Sequence, residues 1–226
     1  MKKEKKTPTR RRTALRRTAA ALVMLPAMWL LNGGSILPTG VLRVQADVKG
    51  TGPVELVKAL GRLPLKGRYR RVYLSANQDA VLLSAAALHL TMGWQESMGA
   101  GLDCSEEGPV HIARWAVTTR APEGEREGYV YFFGRVDDPG IREVGVTYGR
   151  RDEAGELTIH GFEGSQLTSS REEWVRWGGY DYFVMSSPLD VERQQETAGD
   201  YYLCVDGYMV QPDVKVSQWT STSLGD

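Results

Sequence analysis

A dense block of positive charge directly before an apolar run most restricts how this chain can fold. Residues 1–17 carry nine Lys/Arg and one Glu, and residues 19–31 follow as an almost uninterrupted apolar run. Under the positive-inside rule the basic end stays in the cytoplasm, and the chain after the apolar run crosses the membrane. The sequence therefore predicts a single-pass cell-membrane protein whose C-terminal domain lies outside the cytoplasm.

The apolar segment has two interpretations, a retained anchor or a removed signal peptide. Its 13 residues suit a signal-peptide core and are short for a span of about 20 residues. Cleavage after Ala46, where small residues suit a signal peptidase, would release a secreted domain beginning at Asp47. That site lies 15 residues past Leu31, whereas residues 18–42 together are long enough to cross a bilayer at a tilt. We therefore favour the retained anchor, with cleavage at Ala46 as the alternative.

The net charge of zero conceals two parts of opposite sign. Residues 1–17 have a net charge of +8, so the remainder has −8. The tail is expected to lie on anionic lipid headgroups, and the acidic remainder argues against nucleic acid as a partner. A basic cluster interrupts the acidic part, and it is expected either near the membrane surface or on a solvated strand face. The cluster consists of Arg62, Lys66, Arg68, Arg70 and Arg71.

The chain divides into four segments by composition. They are a basic cytoplasmic tail at 1–17, an anchor or signal peptide at 18–44, a linker with the mixed N-terminal part of the domain at 47–109, and a β-sandwich core at 110–219. From residue 110 onward, short aromatic and β-branched runs alternate with turns, including one at 137–140 and a hairpin turn at 206–207. Seven or more such strands indicate a sandwich or a barrel, and we predict an antiparallel β-sandwich.

Two segments before residue 110 decide how much helix accompanies the strands. Residues 53–60 favour a short helix, because Pro53 suits a first helical turn and Leu56, Val57 and Leu60 would share one face. Residues 79–92 fit either a buried helix or a buried strand, because apolar residues surround the segment on all sides. The predicted class is therefore mainly β with one or two short helices.

Part of the strand-rich region resembles bacterial immunoglobulin-like modules. Residues 134–146 read as a Gly-x-Val strand end, an Asp-rich turn and an Ile-x-x-Val-x-Val opening of the next strand. Cys104, Trp115, Tyr202 and Cys204 are similar to the cysteine pair, core tryptophan and tyrosine corner of that family. The resemblance covers about residues 129–219 and implies an immunoglobulin-like sandwich, with no catalytic residue.

The two cysteines leave two states open. Cys104 and Cys204 are the only cysteines in the chain, and both would face an oxidising space. They form either one disulfide, closing a loop of 100 residues, or two buried thiols. The choice depends on whether their Cα atoms lie within bonding range, which spacing along the chain does not determine.

Motifs for catalysis and metal binding are missing from the sequence. There is no Gly-x-Ser-x-Gly, and a comparison with sortases fails because no Arg follows Cys204. Asp137 and Asp138 suit a turn better than a Ca²⁺ site. No metal or cofactor is expected, since the histidines lack the spacing of a metal site. They are His89, His111 and His160.

Four aromatic residues around a Gly-Gly turn are the best candidates for ligand binding. Tryptophan and tyrosine rings beside a turn can form a flat platform for a sugar or a peptide. The alternative is that the two tryptophans close one end of the core. The candidates are Trp174, Trp177, Tyr180 and Tyr182.

The leading hypothesis is a non-catalytic binding domain held at the membrane. Its partner would be an unknown protein or a cell-wall component. One alternative is a wall-glycan-binding module centred on Trp174, Trp177 and Tyr180. The other is an extracytoplasmic enzyme of unrecognised family that uses carboxylates or Cys204.

Overall fold

The computed structural model describes most of the chain after the first nine residues. The described parts are residues 10–65, 69–120, 126–151, 153, 156–159, 167–189, 200–209, 217–218 and 222–223. They contain two helices, α1 (Arg10–Leu31) and α2 (Gly40–Lys49), followed by strands in three largely antiparallel sheets. The predicted class, mainly β with antiparallel sheets and an N-terminal apolar helix, is confirmed.

The first sheet is a meander of four antiparallel strands. Its strands follow one another in space as in the chain, and they are β1 (Glu55–Arg62), β2 (Arg70–Ala76), β3 (Ala80–His89) and β4 (Gly93–Asp103). Of the two alternatives for residues 79–92, the buried strand is correct. Eight of the ten β3 residues are buried, and this burial on both faces explains the missing alternation in the sequence.

The predicted helix at residues 53–60 is wrong, because this segment forms most of β1. The strand pairs with β2 through two irregularities, one between Leu56 and Lys58 and one between Ala59 and Gly61. Val57 and Leu60 are the residues that the register skips, and both pack against the core. Each bulge resets the alternation of a strand. Two bulges three residues apart therefore place Val57 and Leu60 toward the same side, which imitates a helical spacing.

The other two sheets contain the strands after residue 110. The strands of the middle sheet are β5 (Val110–Arg120), β6 (Arg126–Val136), β10 (Val175–Trp177), β11 (Tyr180–Leu189), β14 (Ser217–Gln218) and β15 (Thr222–Ser223). Their order is β10-β11-β6-β5, and the short strands β14 and β15 run parallel to β5. The third sheet consists of β7 (Glu143–Arg151), β8 (Leu157–Ile159), β9 (Leu167–Ser170), β12 (Asp200–Val205) and β13 (Tyr208–Met209).

The middle sheet has apolar side chains on both faces. Tyr131 and Phe133 of β6 belong to a buried cluster shared with the first sheet. Val130 and Phe132, their neighbours along the strand, belong to a second cluster shared with the third sheet. Successive side chains of a strand point to opposite faces, so β6 supplies both clusters in turn. The three sheets are therefore layered around two cores, and an immunoglobulin-like sandwich stays a prediction.

The apolar helix ends earlier than the predicted anchor segment at 18–44. Within the described chain, one helix is long and apolar enough to cross a membrane, over Thr13–Leu31, and none of that stretch is buried against the rest of the protein. After Leu31 the chain turns and enters α2, where Val41 and Leu42 are buried against Tyr73 of β2. The last residues of the predicted segment, 40–44, thus lie in α2, whose buried face packs against the first sheet.

The cysteines take the second of their two predicted states. Cys104 and Cys204 are both buried thiols, and no disulfide joins them. Cys104 lies in the cluster between the first and middle sheets, whereas Cys204 lies on β12 of the third sheet and pairs there with Gly145. The layering of the sheets separates the two residues.

Candidate functional site

The end of α1 is hydrogen-bonded to the turn between β3 and β4. Trp29 donates its indole N–H to the Leu90 carbonyl at 2.8 Å, and the Asn32 side chain donates to the Thr91 carbonyl at 3.2 Å. Ser35 and Trp94 then exchange two backbone hydrogen bonds at 2.8 and 2.9 Å. These contacts attach the helix to the first sheet without an intervening flexible linker.

Close approach of two backbones makes this junction possible. A Cβ atom at Gly34 would lie 1.5 Å from the Met92 carbonyl oxygen, and one at Gly93 would lie 2.8 Å from the Trp29 ring. Only glycine fits where another backbone or ring comes this near. Sequence reasoning missed the junction, although Gly34 and Gly93 were visible and would have suggested a close approach.

Helix α2 is seated in the domain by its buried face. Val41, Leu42, Gln45 and Ala46 are buried, and the last two have no exposed surface. The Ala46 carbonyl accepts the backbone N–H of Thr51, which closes the end of the helix. The residue after which a signal peptidase would cut is thus part of the packed fold.

Aromatic and basic side chains lie together beside the junction, at the end of the first sheet. Tyr69 packs edge-on against Trp94 with 6.2 Å between ring centroids, and its hydroxyl accepts from Arg71 Nε at 3.0 Å. The Arg62 guanidinium lies 5.6 Å from the Tyr69 ring. Arg62 and Arg71 are cross-strand partners. Arg70 of the predicted basic cluster is instead buried, and Lys66 and Arg68 lie outside the described residues.

Exposed apolar side chains share this end of the molecule. Leu90, at the tip of the β3–β4 turn, is 77% exposed, and Leu88 is 43% exposed. Ile36 and Leu37, in the segment between α1 and α2, are 44% and 64% exposed. Leucines at a hairpin tip are unusual in water, and a group of exposed apolar side chains beside polar ones is typical of an interaction surface.

The four aromatic candidates divide between the two faces of the β10–β11 hairpin. Trp177 and Tyr180 pair across the strands, and both pack partly buried against the first core together with buried Tyr182. Trp174 packs instead against Phe183 in the second core, at 6.3 Å between ring centroids. The four rings do not form one platform. Trp177 and Tyr180 are the pair that the fold brings together near the surface, and ligand binding by them stays a prediction.

A buried arginine holds the aromatic hairpin to the first sheet. Arg135 of β6 is 3% exposed and donates from Nε and Nη2 to the two carboxylate oxygens of Asp137, at 2.6 and 2.7 Å. Its remaining donors reach the carbonyls of Gln78 and Cys104. The guanidinium also lies 4.3 Å from the centroid of the Tyr180 ring. Its donors are directed inward, so this arrangement is structural rather than a binding site.

Neither Cys104 nor Asp103 has the pKa that an activated catalytic group needs. Burial raises the pKa of the Cys104 thiol to about 12, the opposite of what a reactive thiolate needs. Hydrogen bonds from the Ser105 side chain and backbone lower the pKa of the Asp103 carboxyl, which does not suit a general acid at neutral pH. His160 lies outside the described residues, so the structure does not test its role.

The Asp-rich turn at residues 137–140 is explained by its own hydrogen bonds. Asp137 binds Arg135, and the Asp138 carboxylate accepts the Gly140 N–H at 2.7 Å. Among the described residues, no group of three or more His, Cys, Asp or Glu side chains is placed to hold a metal ion.

Comparison with protein-family models, curated proteins and solved structures finds no match to this chain. Function therefore has to be argued from the fold and from the junction between the apolar helix and the domain.

Proposed function

We propose that this protein is a single-pass, membrane-anchored protein that presents a mainly β interaction domain outside the cytoplasm. The class is a non-catalytic binding module, with a protein or a wall glycan as the partner. The N-terminal helix is retained, and the basic tail that precedes it stays on the cytoplasmic side. The layered sheets would act as a β-sandwich scaffold for that partner.

The burial of α2 is the observation that supports retention of the helix. Cleavage after Ala46 would remove Val41, Leu42 and Gln45 from the fold and expose the surfaces of Tyr73 and Ala86 that they cover. Each large buried apolar side chain contributes about 1.5–3 kcal/mol to folding. A mature domain beginning at Asp47 would therefore lose several kcal/mol, which is a large part of the stability of an ordinary domain.

A matched variant tests retention in cells. Val44 occupies the position two residues before Ala46 and is 48% exposed, so Val44→Lys blocks peptidase recognition without disturbing the buried face of α2. We expect the native chain and Val44→Lys to have the same full-length mass in the membrane fraction, with the domain digested by external protease. A native species that begins at Asp47 in the medium, together with an uncleaved Val44→Lys, contradicts the proposal.

A second candidate function is glycan binding at the β10–β11 hairpin. Trp177 lies on β10, the edge strand of the middle sheet, and pairs with Tyr180 of β11. Both side chains remain partly accessible, which favours this function. Trp177→Ala should abolish retention on wall polysaccharide, whereas Trp174→Ala should leave retention unchanged. Both substitutions should lower the melting temperature to a similar extent, because each side chain packs partly buried against a core. Equal retention by the two variants would contradict glycan binding at Trp177.

A further inference from the structure

The hydrogen bonds between the end of α1 and the β3–β4 turn fix the depth of that turn relative to the helix. Trp29 lies within the apolar stretch Thr13–Leu31, and its indole N–H donates a hydrogen bond to the Leu90 carbonyl. An α-helix rises about 1.5 Å per residue, so Trp29 lies about 3 Å from the end of the helix at Leu31. Because the apolar stretch ends at Leu31, Leu90 lies close to the level at which the helix would leave the hydrocarbon of the bilayer.

The topology of the first sheet brings a second loop to the same level. In an antiparallel meander, alternate connections lie at the same end of the sheet. Tyr69, which directly precedes β2, therefore lies beside the end of β3, as the hydrogen bond from Leu88 N to the Tyr69 carbonyl shows directly. We call this end of the sheet, with the neighbouring segment after α1, the membrane-facing end. It includes Leu37, Arg62, Tyr69, Arg71, Leu90 and Trp94.

The chemistry of the membrane-facing end matches a lipid headgroup region. Leu90 and Leu37 are the most exposed of its apolar residues, at 77% and 64%. Tryptophan and tyrosine are enriched where protein meets the bilayer interface, and here Trp29, Trp94 and Tyr69 occupy that level. Arg62 and Arg71, beside Tyr69, add positive charge suited to anionic phospholipid headgroups.

We propose that the membrane-facing end is seated in the outer leaflet of the bilayer, with Leu90 at the level of the upper acyl chains and Arg62 and Arg71 among anionic headgroups. The proposal rests on retention of the helix. It assigns a role to exposed leucines that water would disfavour. It also means that the domain has one fixed orientation at the membrane surface, so its far side is the part presented to partners.

Depth-dependent fluorescence quenching on the full-length chain tests this seating. Leu90→Cys, labelled with an environment-sensitive fluorophore, is reconstituted into vesicles of mixed zwitterionic and anionic phospholipids with a quencher on the upper acyl chain. Tyr208→Cys is the matched control, because Tyr208 is 80% exposed on the β12–β13 hairpin of the third sheet. We expect blue-shifted, strongly quenched emission from the Leu90 position and water-like, unquenched emission from the Tyr208 position. The unsubstituted chain, whose two cysteines are buried, reports background labelling.

Flotation of the same vesicles separates the two proposals. If the chain floats but the label at position 90 behaves like the one at position 208, seating is overturned, while retention of the helix is decided by the intact mass of the native chain. If the chain does not float, both are overturned. Protection of the label only by a soluble anionic polymer or by a second protein, and not by lipid, overturns seating in favour of that occupant.

A charge variant tests the part played by the arginines. Arg62→Gln and Arg71→Gln should each lower the ratio of seated to unseated chains about fivefold in anionic vesicles, since one basic residue near such a surface contributes that factor. The effect should vanish in purely zwitterionic vesicles. Arg142→Gln, an exposed arginine of the β6–β7 connection, is the control and should change nothing. Equal effects of all three substitutions would contradict a specific contact of Arg62 and Arg71 with anionic headgroups.

Discussion

The side chain of Gln45 in α2 occupies the space that a Cβ atom would need at Gly99 in β4. A Cβ built on Gly99 would lie 1.8 Å from Gln45 Nε2 and 2.8 Å from the Leu83 carbonyl oxygen. Gln45 has no exposed surface, and its amide donates to that same carbonyl at 3.5 Å. This glycine is therefore what allows α2 to lie directly on the sheet.

We expect Gly99→Ala to destabilise the protein by about 1–3 kcal/mol through overpacking. Denaturant unfolding of the solubilised full-length chain measures this loss. Gln45→Ala should relieve part of the clash, so that the double variant is more stable than the sum of the two single changes predicts, by about 1 kcal/mol. Strict additivity would show that Gln45 and Gly99 do not meet in solution.

The ion pair between Arg135 and Asp137 is expected to be a major determinant of stability. Arg135→Met should cost about 3 kcal/mol, because it takes the buried guanidinium from two carbonyls and, among the described residues, leaves the Asp137 carboxylate with only His111 beside it, at 3.3 Å. Thermal or denaturant unfolding measures the change. The control is Arg176→Met, since Arg176 is 69% exposed and lies 3.9 Å from Asp181, and an exposed pair contributes about 0–1 kcal/mol.

An Arg135→Met variant as stable as Arg176→Met would contradict the stabilising role of the Arg135–Asp137 ion pair. The same experiment reports on the aromatic hairpin, because the Arg135 guanidinium lies over the Tyr180 ring. The tryptophan fluorescence of Arg135→Met should therefore change along with its stability.

Stability should fall as the pH rises from about 10 to about 12. Burial raises the pKa of Tyr182 and of Tyr201 to about 12, from an ordinary value of 10.0. Between these values the unfolded chain releases phenolic protons that the folded chain retains. The unfolded state then binds fewer protons, so unfolding becomes more favourable as the pH rises. Below pH 10 both states are protonated and this contribution to stability is fully present.

Tyr182→Phe isolates one of these groups. Its decline of stability between pH 10 and 12 should be shallower than that of the native chain, as measured by denaturant unfolding at fixed pH values. At neutral pH its stability should be equal or up to about 1 kcal/mol higher, because the buried Tyr182 hydroxyl has no hydrogen-bond partner among the described residues. Tyr208→Phe, at an exposed turn, is the control. A steeper decline of stability with pH for Tyr182→Phe would contradict the raised pKa of Tyr182.

Cys104 should resist alkylation in the folded protein. With its pKa raised from 9.0 to about 12 by burial, the thiolate fraction at pH 8 is about a thousandfold lower than for an ordinary cysteine. Iodoacetamide labelling followed by peptide mass spectrometry should find Cys104 unmodified until denaturant unfolds the chain. Rapid labelling of the native protein would instead indicate an accessible thiol and would revive a catalytic or redox role.

The strand pattern after residue 110 was predictable because its signals are local. The Asp206–Gly207 turn and the aromatic run of β6 depend on a few neighbouring residues, and the structure confirms the hairpin and the strand there. The same local reasoning failed at Val57 and Leu60, because two bulges in β1 produce a helical spacing. A bulge is set by the partner strand, which the local sequence does not reveal.

The candidate site was only partly accessible to sequence reasoning. Trp177 and Tyr180 were identified and do pair across a turn, whereas Tyr182 is buried and Trp174 faces the other core. Which face an aromatic residue takes depends on its register in the sheet, and a shift of one residue exchanges the faces. The contact of Trp29 with Leu90 joins residues 61 positions apart, and the nearby glycines Gly34 and Gly93 indicate a close approach without identifying its partner.

The sequence by itself determined the apolar helix and the mainly β character, because hydrophobicity and turn propensity act over short stretches of chain. The tertiary structure alone decided that α2 is part of the core, that Cys104 and Cys204 lie apart, and that the end of the helix is bonded to the β3–β4 turn. These features depend on contacts between residues distant in the chain. Such contacts form only when sheets pack in one particular arrangement, and burial then selects among the possibilities that local patterns leave open.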